Sequence, residues 1–377
     1  MNTINDLIRR PYLDDETIER FLNENDFPLV HGRKVTFVFQ GDFEEVYLRH
    51  FIYGLESRNP FSRIGESDLW FCTMEVPRKS RVEYKIEVVS GGKKTWIRDP
   101  LNPRFARDPF GANSVCPGAG YVRPEWTRPD SETREGQIKQ ITFTDTPWGD
   151  TRRVDLYLPA RFRRTRRYPL LVVHDGGDYL RYADLKAVLD NLIHRGEIAP
   201  LIVALTYPHD RMTEYPNDDN HAAFIAQSVV PWLEENYPLY GTPEQRCLMG
   251  ASFGAVASLY TAWRNPGMFG RLLLQSGSFA FTDIGNHHRG PAFDPVVAFM
   301  NAFREDSGCP SKKAFISCGQ YESLIYENRS MVPFFREAGI DVRYVEARDG
   351  HNWENWRDRL REGLSWLFPG HLWMVYE

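Results

Sequence analysis

Two hydrophobic periods divide the chain. Residues 13–24 place apolar side chains at helical spacing and predict a short amphipathic helix. From about residue 30 to 125 the apolar runs are short, β-branched or aromatic, and separated by turns: "VTFVFQG", "EEVYLRHF", "LWFCTMEV", "VEYKIEVV" and "KTWIRDP". Such strands, with no helical period between them, predict a small β-sandwich over residues 1–125 with the helix in front of it. The stretch 122–135, "VRPEWTRPDSETRE", is polar and rich in proline, and marks a linker over 126–135.

Beyond the linker, strands alternate with helices. "GQIKQITFTD" and "TRRVDLYLPA" read as a leading antiparallel pair, whereas "YPLLVVHDG" and "APLIVALTY" are continuous apolar runs of the kind buried on both faces of a parallel sheet. "LKAVLDNLIHRG" and "NHAAFIAQSVVPWLEENYP" have the helical period. "RLLLQSGS" and "KAFISCGQ" add strands, and "WRDRLREGLSWLFPG" a closing helix. The pattern predicts a doubly wound α/β domain over residues 136–377.

Within that domain "EQRCLMGAS" ends as a buried strand and "FGAVASLYTAWRNP" begins a helix, so Ser252 of Gly250-x-Ser252-x-Gly254 sits at a strand–turn–helix apex. That is the geometry of a nucleophile elbow, in which flanking glycines allow a sharp turn and the hydroxyl stands above the sheet. A helix-capping serine in a glycine-rich turn would give the same letters. A serine hydroxyl needs a base, and the base an acid to hold its tautomer. In this architecture both follow the serine on loops after later strands. "DVRYVEARDG" runs into His351, which has that place; it could also serve as a cap before the last helix. His31 and His50 fall in the other domain, and His174, His194, His209 and His221 precede the serine. His287 and His288 fall in a surface loop, and His371 follows the last helix.

The loop "GQYESL" offers Glu322 as the acid, while Asp349 shares the histidine's own loop and suits an Asx-turn. Two backbone N–H groups complete the site: Phe253, after the serine, and Gly177 in "VVHDGGDYL", a loop that also reads as an ordinary Asp-Gly turn.

Composition changes this picture little. Forty-six basic and 51 acidic side chains leave a dispersed net charge of -5, which carries no nucleic-acid footprint. The run "ARFRRTRRYP" (160–169) reads as a solvated turn between strands. Five cysteines (72, 116, 247, 309, 318) show no metal or CxxC spacing and read as scattered reduced thiols. The acidic start "MNTINDLIRRPYLDDETIERF" has no apolar signal region, and no run approaches the ~20 apolar residues that cross a bilayer. These features predict a soluble cytoplasmic protein without a protein-bound cofactor or metal.

Several segments resemble one family. "HDGGDY", "RMTEY" (211–215), "VVPWLEENYP", "GASFG", "LLQSGSFAF", "CGQYES" and "DGHNW" are similar, in this order, to the esterase D-like α/β-hydrolases. They look most like the enterochelin esterase branch, whose N-terminal Ig-like (E-set) sandwich the segment "DPLNP…DPFGANSV" (99–115) resembles. The resemblance implies Ser252 as nucleophile, His351 as base, Glu322 as acid, and Gly177 with Phe253 as oxyanion hole. It implies hydrolysis of the trilactone of a ferric catecholate siderophore, with iron carried by the substrate. The sequence departs from the branch after QSGS, where "FAFTD" stands in place of tandem tryptophans.

A large aromatic anion needs arginine and aromatic contacts, for which Arg211, Tyr179, Tyr321, Trp353 and Trp356 are the candidates. A feruloyl or acetyl carbohydrate esterase and a non-catalytic binding protein are the competing readings. Because residues 30–125 hold no triad candidate, the sandwich is expected to select substrate and not to perform chemistry.

Overall fold

The alternation read along the first strands has a direct structural counterpart. In the computed structural model, Phe37 and Val35 of one sheet and Leu48, Tyr84 and Ile86 of another are buried in one apolar cluster. The structure describes residues 4–10, 12–282 and 288–370, so His287 and His371 lie outside the described residues. The chain forms two compact units. The first holds the residues up to Val122 together with Gln320–Ser323 and Ala347–Asn352; the second holds Arg123–Gly319, Leu324–Glu346 and the chain from Trp353 onward.

The first unit begins with α1 (Ile4–Ile8) and α2 (Asp15–Glu24). Asp14 caps α2 by accepting the Thr17 N–H at 2.8 Å. Ten strands follow: β1 (Leu29–His31), β2 (Lys34–Gln40), β3 (Glu45–His50), β4 (Arg58–Pro60), β5 (Ser62–Arg63), β6 (Leu69–Glu75), β7 (Arg81–Ser90), β8 (Lys93–Ile97), β9 (Phe105–Asp108) and β10 (Gly111–Pro117). They make a sheet of order β1-β2-β6-β5 and a second of order β4-β3-β7-β10-β9, with β8 on β7. The inner faces of the two sheets share one core, in which the Phe37 and Tyr84 rings meet edge to face at 4.7 Å. Burying a side chain such as Phe37 stabilises by roughly 1.5–3 kcal/mol. The amphipathic α2 covers the far side of the first sheet, where Ile18 and Phe21 pack with Val38 and Leu69.

In the second unit the strands are β11 (Gln137–Phe143), β12 (Arg152–Leu158), β13 (Leu170–Val173), β14 (Ile202–Thr206), β15 (Arg246–Ala251), β16 (Arg271–Gln275), β17 (Lys313–Gly319) and β18 (Asp341–Ala347). The helices are α3 (Gly176–Tyr182), α4 (Leu185–His194), α5 (Arg211–Asn217), α6 (Asp219–Ala223), α7 (Val230–Asn236), α8 (Phe253–Arg264), α9 (Asp294–Glu305), α10 (Ile325–Glu337) and α11 (Trp353–Leu367). One sheet runs β11-β12-β14-β13-β15-β16-β17-β18. β11 and β12 are antiparallel to each other, β12 is antiparallel to β14, and β13 to β17 run parallel.

Alternate residues of the central strands feed two separate cores. Val172, Leu248 and Leu272 pack with α8 and α9, whereas Val173, Met249 and Leu273 pack with α4 and α11. Helices therefore cover both faces, the α/β-hydrolase arrangement expected of continuous apolar strands.

The polar stretch read as a linker is tied to this second unit. Trp126 is buried in its core, and the Asn191 side-chain amide donates to the Trp126 carbonyl at 2.9 Å and the Arg128 carbonyl at 2.7 Å. No helix among the described residues is long and apolar enough to cross a membrane.

Candidate active site

The elbow is strained where chemistry would need it. Ser252, between β15 and α8, holds φ 57° and ψ -122°, a region L-residues avoid at a cost of about 1–3 kcal/mol. Its glycine neighbours make the turn possible: a Cβ on Gly250 would overlap the backbone of Gly254 and Ala255, and one on Gly254 would crowd Asp175 Oδ2 at 3.1 Å. The Ser252 N–H donates to the Gln275 carbonyl at 2.9 Å and its carbonyl accepts from Ser278 N at 3.3 Å, so β16 fixes the turn. Ser252 Oγ lies 3.2 Å from Ser278 Oγ, a partner within the QSGS segment that sequence reasoning did not single out. Asn328 holds that segment by bonding both the N–H and the carbonyl of Gly277, at 3.1 and 2.8 Å.

Phe253 opens α8 and Gly177 is the second residue of α3, so both N–H groups are among those that a helix start leaves without an intrahelical partner. The loop before α3 turns on Asp175, which has φ 55°. Its buried carboxylate accepts Arg211 Nε at 3.0 and 2.9 Å, and the same guanidinium donates to the Ala251 carbonyl at 3.2 Å. Burial pushes the Asp175 carboxyl up against the pull of Arg211. One arginine thus ties the Gly177 loop to the last residue of the elbow strand. Residues spaced as Asp175 and Arg211 leave no local pattern, so only the fold reveals the clamp.

Gly177 has no room for a side chain, because a Cβ there would run into the Tyr207 ring, itself held by a 2.7 Å bond to Asp155. Gly177→Ala is expected to displace this N–H and lower kcat on a p-nitrophenyl ester on the order of a hundredfold, with the fold retained by circular dichroism. An unchanged kcat would remove Gly177 from the oxyanion hole.

The base and acid candidates meet in the first unit. His351 Nδ1 donates to Glu322 Oε2 at 2.7 Å, which leaves Nε2 as the basic nitrogen. Glu322 is 2% exposed, whereas the His351 side chain is 38% exposed. Asp349, the rival acid, points elsewhere. It accepts from Arg81 Nη1 at 3.2 Å, Gly350 N at 2.7 Å and Asn352 Nδ2 at 2.8 Å. Burial pushes its carboxyl up to about 7 despite Arg81.

Tyr321 braces the acid's loop: its hydroxyl is 2.6 Å from Ser80 Oγ, its carbonyl accepts Tyr53 N at 2.9 Å, and its N–H donates to the Asp349 carbonyl at 3.1 Å. A cavity of about 720 Å3 in this unit is lined by Tyr321, Glu322, His351 and Asn352 with residues of the sandwich, a size suited to a small-molecule ligand.

Other expected contacts are relocated. Tyr179 is fully buried and donates to Gln275 Oε1 at 2.8 Å. Trp353 and Trp356 are buried too, Trp353 edge-on to Tyr179 at 5.1 Å and to Trp356 at 4.7 Å, and Trp356 Nε1 bonds Ser276 Oγ at 2.9 Å. These three rings are core, not substrate contacts: an aromatic residue near a reactive one in sequence packs inward wherever the helix behind it needs apolar volume. Arg211 belongs to the clamp, with a third of its side chain exposed.

His174 and His221 are buried in the second unit, and burial holds His174 well below the usual histidine range. Among the described residues no group of three or more His, Cys, Asp and Glu side chains is placed to hold a metal ion.

Comparison with known proteins bears on what such a site does. Residues 146–367 match the family described as Putative esterase. The protein YjcH of Bacillus subtilis is 29% identical over 62% of this chain and 98% of its own length. The iron(III) enterobactin esterase of Escherichia coli O6:H1 is 22% identical over 80% of each chain. The crystal structure of the enterobactin esterase FES from Shigella flexneri in the presence of enterobactin superposes with a TM-score of 0.74 at 19% identity, covering 94% of this chain and 98% of that one.

Proposed function

Because the chain belongs to the Putative esterase family, we propose that it is a cytoplasmic serine esterase that hydrolyses the trilactone esters of a ferric catecholate siderophore such as enterobactin. Ser252 is the nucleophile, His351 the general base, Glu322 the orienting acid, and Phe253 and Gly177 supply the oxyanion N–H groups. The observation that carries this reading is the 2.7 Å bond between His351 Nδ1 and buried Glu322, on the loops that follow β17 and β18. The relatives named iron(III) enterobactin esterases support the substrate class. Iron is cargo of that substrate, held by its catecholates.

In the mechanism, Ser252 Oγ attacks an ester carbonyl as His351 Nε2 takes its proton, and Glu322 stabilises the imidazolium. The tetrahedral oxyanion accepts the two N–H groups, which are strongest as donors where charge develops. Collapse expels the seryl alkoxide leaving group, which receives the proton from His351. Water, activated by the same imidazole, then releases the acyl group and restores Ser252.

The test is mass spectrometry of products after incubation with ferric enterobactin, its linear fragments and a feruloyl sugar. The expected outcome is stepwise conversion of the trilactone to dihydroxybenzoyl-serine units. Cleavage of the feruloyl sugar alone would replace this reading with a carbohydrate esterase, and no product from any of them would leave a binding protein.

A further inference from the structure

The outer face of the six-stranded sheet in the first unit breaks a rule of strand pairing. Arg58 stands directly opposite Arg49, and Arg49 directly opposite Lys85, so three cations form a row across β4, β3 and β7. Like charges in register destabilise a sheet, and such local conflicts persist where a site needs them. Two carboxylates answer the row: buried Glu87 pairs with Arg58 at 2.8 Å and Arg49 at 3.6 Å and also accepts Trp96 Nε1 at 2.9 Å, and the more exposed Glu45 reaches Arg58 at 3.9 Å. Glu83, further along β7, is taken by Arg81 and Asn113, both at 2.8 Å. Among the described residues Lys85 has no carboxylate partner.

Aromatic surface accompanies this charge. Trp96 is 45% exposed, with the Arg49 guanidinium 4.5 Å from its ring centre, and Tyr53 and Phe110 are 51% and 95% exposed. Arg49, Lys85, Trp96, Tyr53 and Phe110 all line the cavity that His351 and Glu322 border. Large exposed rings gathered round surplus positive charge fit a ligand that is both flat and anionic.

We propose that this sheet face is a subsite for planar aromatic anions, in which a catecholate ring stacks on Trp96 while its oxygens accept hydrogen bonds from Lys85 and Arg49. The inference rests on the siderophore reading and specifies which arm of such a substrate the sandwich holds. An ester joined to an aryl arm seated there shares one cavity with the imidazole of His351.

The experiment titrates the 15N-labelled full-length chain with metal-free 2,3-dihydroxybenzoate, which has no ester to cleave, and follows the tryptophan indole N–H signals. Trp96 is assigned with Trp96→Phe. The Trp96 signal is expected to move saturably, Lys85→Gln to weaken binding about tenfold through loss of a charge-assisted hydrogen bond, and the uncharged 2,3-dimethoxybenzamide to bind at least tenfold more weakly than the anion. A Trp96 signal that stays still at millimolar probe, equal affinity in Lys85→Gln, or equal affinity for the uncharged analogue overturns the subsite. Failure of the trilactone assay with this binding intact would instead overturn the esterase substrate and leave the subsite standing.

Discussion

Ser252→Ala is expected to abolish ester hydrolysis, with kcat on p-nitrophenyl esters falling on the order of 10⁵–10⁶-fold while the protein remains folded. The loss is expected because, in the proposed mechanism, this hydroxyl forms the acyl bond. The retained fold follows from what the side chain gives up, which among the described residues is one 3.2 Å hydrogen bond with Ser278 Oγ from a half-buried position. The turn itself is held by backbone bonds from Ser252 to Gln275 and Ser278, which alanine keeps. A companion variant separates chemistry from strain. Ser252→Gly is equally inactive but melts above Ser252→Ala, because glycine occupies φ 57° freely whereas a Cβ there costs about 1–2 kcal/mol. Activity within tenfold of wild type in Ser252→Ala would dismiss the serine mechanism. A lower melting point for the glycine variant would deny that the elbow stores strain.

Glu322→Gln is the second large effect. The amide keeps the shape but removes the charge facing the imidazolium and offers a donor to the wrong tautomer, so kcat falls by roughly 10³–10⁴ with KM changed little. Asp349→Asn is expected to stay within tenfold of wild type, since Asp349 bonds Arg81, Gly350 and Asn352 and not the histidine. Steady-state kinetics of the two variants side by side decide between the acids. The reverse ranking would move the role to Asp349.

The elbow turn and the strand alternation were legible in the sequence because each is local. Gly250, Ser252 and Gly254 announce a turn by their spacing, and the continuous apolar runs of β13 and β14 announce a buried parallel sheet. β4 and β5 carry no alternation long enough to read, being three and two residues. What stayed hidden depends on partners far apart in the chain: Arg81 reaches Asp349 across 268 positions, and Tyr321 meets Ser80 across 241. Tyr179 and Trp353 misled for the same reason, since whether a ring faces a ligand or a core is decided by the element packed on it. The cation row of Arg58, Arg49 and Lys85 is likewise invisible until the strand register is known.

The grouping of Gln320–Ser323 and Ala347–Asn352 with the first unit bears on how such a protein can be cut, shuffled or inherited. The two loops are encoded in the hydrolase half of the gene, yet Tyr53, Ser80 and Arg81 of the sandwich hold them, and the Arg81 N–H bonds the Arg348 carbonyl at 2.9 Å. A fragment starting at residue 136 would encode Glu322 and His351 without the residues that set their geometry. The Glu322–His351 pair is therefore not portable without the sandwich residues that hold its loops. Recombination at that border would separate Glu322 and His351 from their splint.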